Sequence, residues 1–170
     1  RDNLVSLTTQ INLGIITNLA GAVADFGTTA FPVNYQKGFT WASGVGLNQA
    51  DMMWSDQRTL GPGANEDIDL AGVLTSHLGG TLTLARLKAL LVFAAPTNTV
   101  NVTVSRPATN GVPFLAAAGD AFVLKPGGLF LFTDPSAAGV VVTPGTGDLI
   151  NVLAGAASSV YDIIVIGGLT

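Results

Sequence analysis

Glu66–Ser105 reads EDIDLAGVLTSHLGGTLTLARLKALLVFAAPTNTVNVTVS, and this stretch decides the fold. It holds the longest unbroken apolar run, Ala89–Ala95, and the cleanest alternation in the chain. Val100, Val102 and Val104 point one way; Asn101, Thr103 and Ser105 point the other. That is the period-2 signature of a half-buried strand. Upstream, Leu82–Pro96 is open to a helical reading, since Ala, Leu, Arg and Lys all favour one. A strand is preferred, because Leu90-Leu91-Val92-Phe93 suits a strand covered on both faces. Earlier still, Asp67, Asp69 and Ala71 share one strand face, with Ile68 and Leu70 on the other. Leu78-Gly79-Gly80-Thr81 and Asn98-Thr99 are turns.

Working outward, the C-terminal half repeats this grammar. Ala121–Leu124, Leu129–Thr133, Gly139–Thr143, Leu149–Leu153 and Val160–Ile166 are short apolar segments. Their separators carry turn residues: Lys125-Pro126-Gly127-Gly128, Asp134-Pro135-Ser136 and Pro144-Gly145-Thr146-Gly147-Asp148. Short strands at a spacing of about 8–12 residues predict a β-sandwich or barrel. The expectation is an all-β chain, a jelly-roll sandwich of about eight to ten strands over residues 31–170. Towards the N-terminus, Gly38–Ser43 and Asp51–Leu60 are further candidate strands, and Gly61-Pro62-Gly63 is a loop.

Residues 1–30 read differently. Ile11, Ile15, Leu19 and Val23 recur every four residues, which suits an amphipathic helix. Leu4–Thr9 alternates as a strand would, and Gly14 and Gly21 weaken a helix. The segment is expected to be an N-terminal arm, extended or partly helical. It parts from the sandwich at Phe31-Pro32, because a residue before proline is pushed out of the α region. If the arm reaches a neighbouring subunit, Leu4, Leu7, Ile11, Ile15 and Leu19 are its candidate assembly contacts.

The 170 residues suit one domain with an arm. There is no cysteine, so disulfides, thiolate zinc sites and cysteine nucleophiles are excluded together. Charged residues make up 11% of the chain, against about 25% in ordinary soluble domains. The mean hydropathy is +0.52. A surface this neutral predicts contact with copies of the same chain or a larger assembly, the alternative being a monomer with an Ala/Gly-rich neutral surface. The apolar run falls far short of the roughly 20 residues a spanning helix needs. The strands also lack the aromatic girdles of a lipid-facing barrel, so no membrane partner is expected. A net charge of −4 with seven scattered basic residues argues against direct nucleic-acid binding. No signal peptide is apparent at the start of the sequence.

Chemistry has few places to reside. His77 is the lone histidine, so a Ser–His–Asp triad would have to use it, and no GxSxG elbow accompanies it. Glu66, Asp67 and Asp69 form the densest acidic cluster and could offer oxygens to a hard cation. With no EF-hand spacing and no Asp/Asn-rich loop, a solvated or hydrogen-bonded strand edge before a turn is the preferred reading. Trp41 and Trp54 suit core or interface anchors better than a sugar-stacking cleft. Gly127-Gly128 and Gly145-Thr146-Gly147 lack the context of phosphate loops. No catalytic residue, metal or cofactor is expected.

Several segments carry a likeness to a known family. They are Trp54-Ser55-Asp56-Gln57-Arg58-Thr59-Leu60, Asp67-Ile68-Asp69-Leu70-Ala71-Gly72 and Leu87-Lys88-Ala89-Leu90. Later come Lys125-Pro126-Gly127-Gly128, Pro135, Thr146-Gly147-Asp148-Leu149-Ile150-Asn151-Val152 and Tyr161-Asp162-Ile163-Ile164-Val165-Ile166-Gly167. In this order, over about two-thirds of the chain, the sequence resembles small virion structural proteins of tailed bacteriophages. The resemblance implies a jelly-roll capsid decoration, or cement, protein. It implies a homo-oligomer, with a trimer favoured, seated on the major capsid protein at the capsid exterior and made in the bacterial host cytoplasm. A receptor- or carbohydrate-binding β-sandwich of a tail or fibre is the alternative. No catalytic residues come with the resemblance.

Overall fold

The computed structural model describes residues 6–23 and 27–169. All regular structure among them is β, and no helix is long and apolar enough to cross a membrane. The chain opens with β1 (Thr9–Val23), β2 (Gly27–Ser43) and the short β3 (Gln49–Ala50). There follow β4 (Met52–Leu60), β5 (Asn65–Asp69), β6 (Ala71–Thr75), β7 (Thr81–Thr83), β8 (Arg86–Ala94) and β9 (Val102–Ser105). The last five are β10 (Ala121–Leu124), β11 (Leu129–Thr133), β12 (Val140–Val141), β13 (Leu149–Ala154) and β14 (Ser159–Gly168).

Two antiparallel sheets enclose the main core. One runs β10-β9-β13-β5; the other runs β11-β8-β14-β4, with β12 pairing onto the end of β8. The period-2 pattern explains why they stack. Val102 and Val104 of β9, Ile150 and Val152 of β13 and Ile68 of β5 point inward from the first sheet. Leu90 and Val92 of β8, with Tyr161, Ile163 and Val165 of β14, answer from the second. Burying each such side chain contributes about 1.5–3 kcal/mol. The strands alternate between layers: β4 and β5, β8 and β9, β10 and β11, and β13 and β14 each divide across the two sheets. Their connections therefore arch over the core. β9 and β10 are consecutive neighbours within one sheet, and β6 and β7 form a small separate hairpin.

Leu82–Pro96 is extended, as its pattern suggested, but it is not one strand. β7 ends at Thr83 and β8 starts at Arg86. The parity of β8 also changes. Ile166 pairs with Ala89 and Gly167 with Leu87, so Lys88 is the extra residue of a β-bulge. The bulge lets Leu87 join the main core while Lys88 turns towards the Gly44–Asn48 and Asp134–Gly139 loops.

The N-terminal arm departs from expectation. Ile11, Ile15 and Leu19 lie on strand β1, with no helical turn between them. A four-residue spacing keeps one face in a strand as well as in a helix, so it could not separate the two. Pro32 does not break the chain; it sits inside β2, opposite Asn18. The divide expected at residue 30 therefore falls inside a single hairpin that runs to Ser43. Among the described residues, this hairpin is anchored at its base. Trp41 is buried there with Ala50 and Ala89, and Leu7, Ile11 and Ile166 pack around them.

Candidate functional site

β1 and β2 pair along their full length, from Thr9 opposite Trp41 to Val23 opposite Gly27. Odd-numbered residues face odd-numbered partners, so they share one side of the ribbon. Of the eight large apolar side chains exposed in the described part of the hairpin, seven lie on that side: Leu13, Ile15, Leu19, Phe31, Val33, Tyr35 and Phe39. Ile16 is the exception. Leu19 is 76% exposed and Phe31 68%. The other side carries Gln10, Asn12, Asn18, Asn34, Gln36 and Thr40. Lys37 is the one charged residue in the described part of the hairpin, and its ammonium lies 5.8 Å from the Tyr35 ring centre.

The five expected assembly residues divide. Leu4 lies outside the described residues. Leu7 and Ile11 are half-buried against the Trp41 cluster at the base, within their own subunit. Ile15 and Leu19 are exposed on the apolar side. Leu13, Phe31, Val33, Tyr35 and Phe39 complete that side and were missed. Their signal was present: Phe31, Val33, Tyr35 and Phe39 alternate at period 2 in FPVNYQKGF.

A second apolar face lies beside the first. On the side of the β8-containing sheet turned away from the core, β8 presents Leu91 and Phe93, β11 presents Leu129 and Leu131, and β14 presents Ile164 and Ile166. Leu129 is exposed and the other five are half-buried. Asp162 shares this face beside Phe93, and its carboxylate accepts a 2.8 Å hydrogen bond from Gln57 Nε2. Between the hairpin base and the sheet opens a groove of about 270 Å³, lined by Gln10, Ile11 and Asn12 on one wall and Leu91, Leu131 and Ile164 on the other.

The candidate polar groups all have local partners. His77 Nε2 accepts the Ser55 backbone N–H at 3.0 Å and lies 3.3 Å from Ser55 Oγ. The backbone N–H thus occupies the lone pair that a general base would need. Glu66 Oε1 accepts the Tyr161 hydroxyl at 2.6 Å, and Arg58 lies 3.5 Å from its other oxygen. Asp67 accepts from Asn151 Nδ2 at 2.7 Å, and Asp69 accepts the Ala71 backbone N–H at 2.8 Å. Each of the three carboxylates is held by its own partner, and no group of three or more metal-ligating side chains gathers among the described residues. Trp54 is buried in the main core, with the Arg58 guanidinium 5.5 Å above its ring.

Two buried groups have shifted titration. Burial pushes the Tyr161 hydroxyl well above the usual phenol range, and its bond to Glu66 adds to this. Burial also holds the Lys88 ammonium below the usual lysine range, with Asp134 partly opposing. Lys88 donates to the carbonyls of Gly46, at 3.3 Å, and Ser136. It thereby ties the loop after the hairpin to the sandwich. Both groups are structural ties without access to a cleft.

The sequence matches no protein-family model, no curated protein and no solved structure.

Proposed function

We propose that this chain is a non-enzymatic virion structural protein of the capsid decoration type. It would act as a homo-oligomer, with a trimer favoured, binding the major capsid protein on the exterior of a phage head after synthesis in the bacterial host cytoplasm. The observation that carries this reading is the β1–β2 hairpin, a long ribbon with one apolar side raised on a rigid β body. A side so apolar calls for a covering surface. An isolated two-stranded ribbon is at best marginal in water, which also favours assembly.

The body is read as a jelly roll. Numbering β4, β5, β8, β9, β10, β11, β13 and β14 as one to eight gives sheet orders 1-8-3-6 and 2-7-4-5. That nested order supports the jelly-roll reading, a fold common in viral capsid proteins. The low charge content and the local pairing of His77, Glu66, Asp67 and Asp69 favour a scaffold over a catalyst.

The test is co-sedimentation of purified protein with heads of the phage that carries this sequence, prepared without it. Saturable binding at a fixed ratio to the major capsid protein is expected. Absence of head binding, together with binding to host-surface glycans, would overturn the decoration reading in favour of a tail or fibre adhesin.

A further inference from the structure

We infer that the hairpin of one copy of this chain seats its apolar side on the outer face of the β8-containing sheet of a second copy. Lys37 of the first then pairs with Asp162 of the second. Three observations converge on a second copy as the occupant.

The first is shape and polarity. The chain exposes two flat apolar β surfaces, and sheets pack face to face through such surfaces. The hairpin does not cover its own sheet. Its contact ends near Ile11 and Asn12, where the groove opens towards Leu91, Leu131 and Ile164.

The second is charge. Among the described residues, Lys37 is the single charge on the apolar side of the hairpin. Asp162 is the single acidic residue on the outer face formed by β4, β8, β11 and β14; the cations Arg86 and Lys88 lie at its far end, where the carbonyls of Ala137 and Ser136 hold them. A hairpin-to-sheet contact matches one cation to one anion. With Lys37 at Asp162, Tyr35 and Ile15 lie one row along, over Ile164 and Leu91, where the groove can take the Tyr35 ring.

The third is area. Rows of side chains about 6.8 Å apart, on strands about 4.8 Å apart, give the Leu13–Leu19 and Phe31–Lys37 strip roughly 300 Å². One seated hairpin then buries on the order of 600 Å² over both partners, about half of what a stable interface needs. Each copy carries both a donor hairpin and an acceptor sheet, so two seats per subunit reach that size. Reciprocal exchange in a dimer places both seats in one interface; in a head-to-tail ring each subunit is held by two such contacts, one on either side. The inference rests only on self-association and stands apart from any role on a phage head.

The chain has no cysteine, which makes the test direct. Tyr35→Cys with Ile164→Cys is expected to give covalent oligomers under mild oxidation, resolved on a non-reducing gel. Neither single variant should do so. Separately, Lys37→Asp and Asp162→Lys should each weaken association about tenfold, and the double reversal should restore it to within about threefold. Several results would overturn the inference. One is linkage in the Tyr35→Cys single variant, which would mean hairpin-to-hairpin packing. Another is a stable oligomer with no Tyr35–Ile164 linkage and no response to charge reversal, which would keep self-association but move it elsewhere. A third is a monomer at all concentrations, and a monomer that floats with phosphatidylcholine vesicles would assign the hairpin to lipid.

Discussion

Gly167 is a position where one added methyl group would collide with the backbone. A Cβ there would stand 2.2 Å from the Arg86 carbonyl oxygen, at the bulge where Lys88 leaves the β8–β14 ladder. Backbone atoms hold that contact, so no rotamer can relieve it. Gly167→Ala should lower unfolding stability by about 2 kcal/mol or more, measured by urea denaturation. Tyr161 gives a second residue-scale expectation. Its hydroxyl titrates higher folded than unfolded, so its contribution is complete below about pH 10. Above that, the unfolded chain releases the phenol proton first, and stability falls as pH rises. Tyr161→Phe should cost about 1–2 kcal/mol at pH 7, through the lost bond to Glu66. It should also flatten the decline between pH 10 and 12 relative to the parent protein. Equal slopes in the two proteins would count against the assignment. The alternation of Val102 and Val104 showed the sequence reader which side chains go inside. Nothing local marked the bulge, because Lys88 earns its position from a partner strand more than seventy residues away.

At the scale of elements, the hairpin and the sandwich should behave as separable parts. Joining Asn12 to Gly38 through a two-residue Asn-Gly turn removes the exposed ribbon and keeps the Trp41 base. The shortened protein should melt within a few degrees of the parent by circular dichroism, while light scattering shows its oligomers lost. A collapse in melting temperature would mean the ribbon braces the body. β10 and β11 fall where the sequence put them, since Gly and Pro punctuate each end. The hairpin was misread for a physical reason. Ile11, Ile15 and Leu19 fit periods of 3.6 and 2 alike, while their partners Phe39, Tyr35 and Phe31 were assigned to another part of the chain. An amphipathic ribbon shows itself only when both strands are read together.

At the scale of the whole molecule, the two apolar faces and the low charge content predict concentration-dependent mass in light scattering. Association through burial of those faces should persist at 1 M salt, where the Debye length is about 3 Å, while the Lys37–Asp162 contribution should shrink. An oligomer that dissociates fully on adding salt would contradict this balance. The all-β class and most strand positions were legible in the sequence. The pairing of β4 with β14, which closes residues 52–60 onto residues 159–167, was not. Such partners are chosen by the packed core, and no local spacing encodes them.

That pairing also governs how the molecule comes into being. β14 is made after every other described strand, yet it sits in the middle of its sheet, between β8 and β4. Until it emerges during synthesis, β4 has no strand to pair with and the wall of the core formed by β8 and β11 stays incomplete. The β1–β2 ribbon needs only contacts close in sequence and can close as soon as residue 43 is out. A nascent chain therefore presents the apolar ribbon well before its body is complete. At high expression, crowding of nascent chains should channel material into aggregates through the ribbon. Slower synthesis should raise the yield of folded protein.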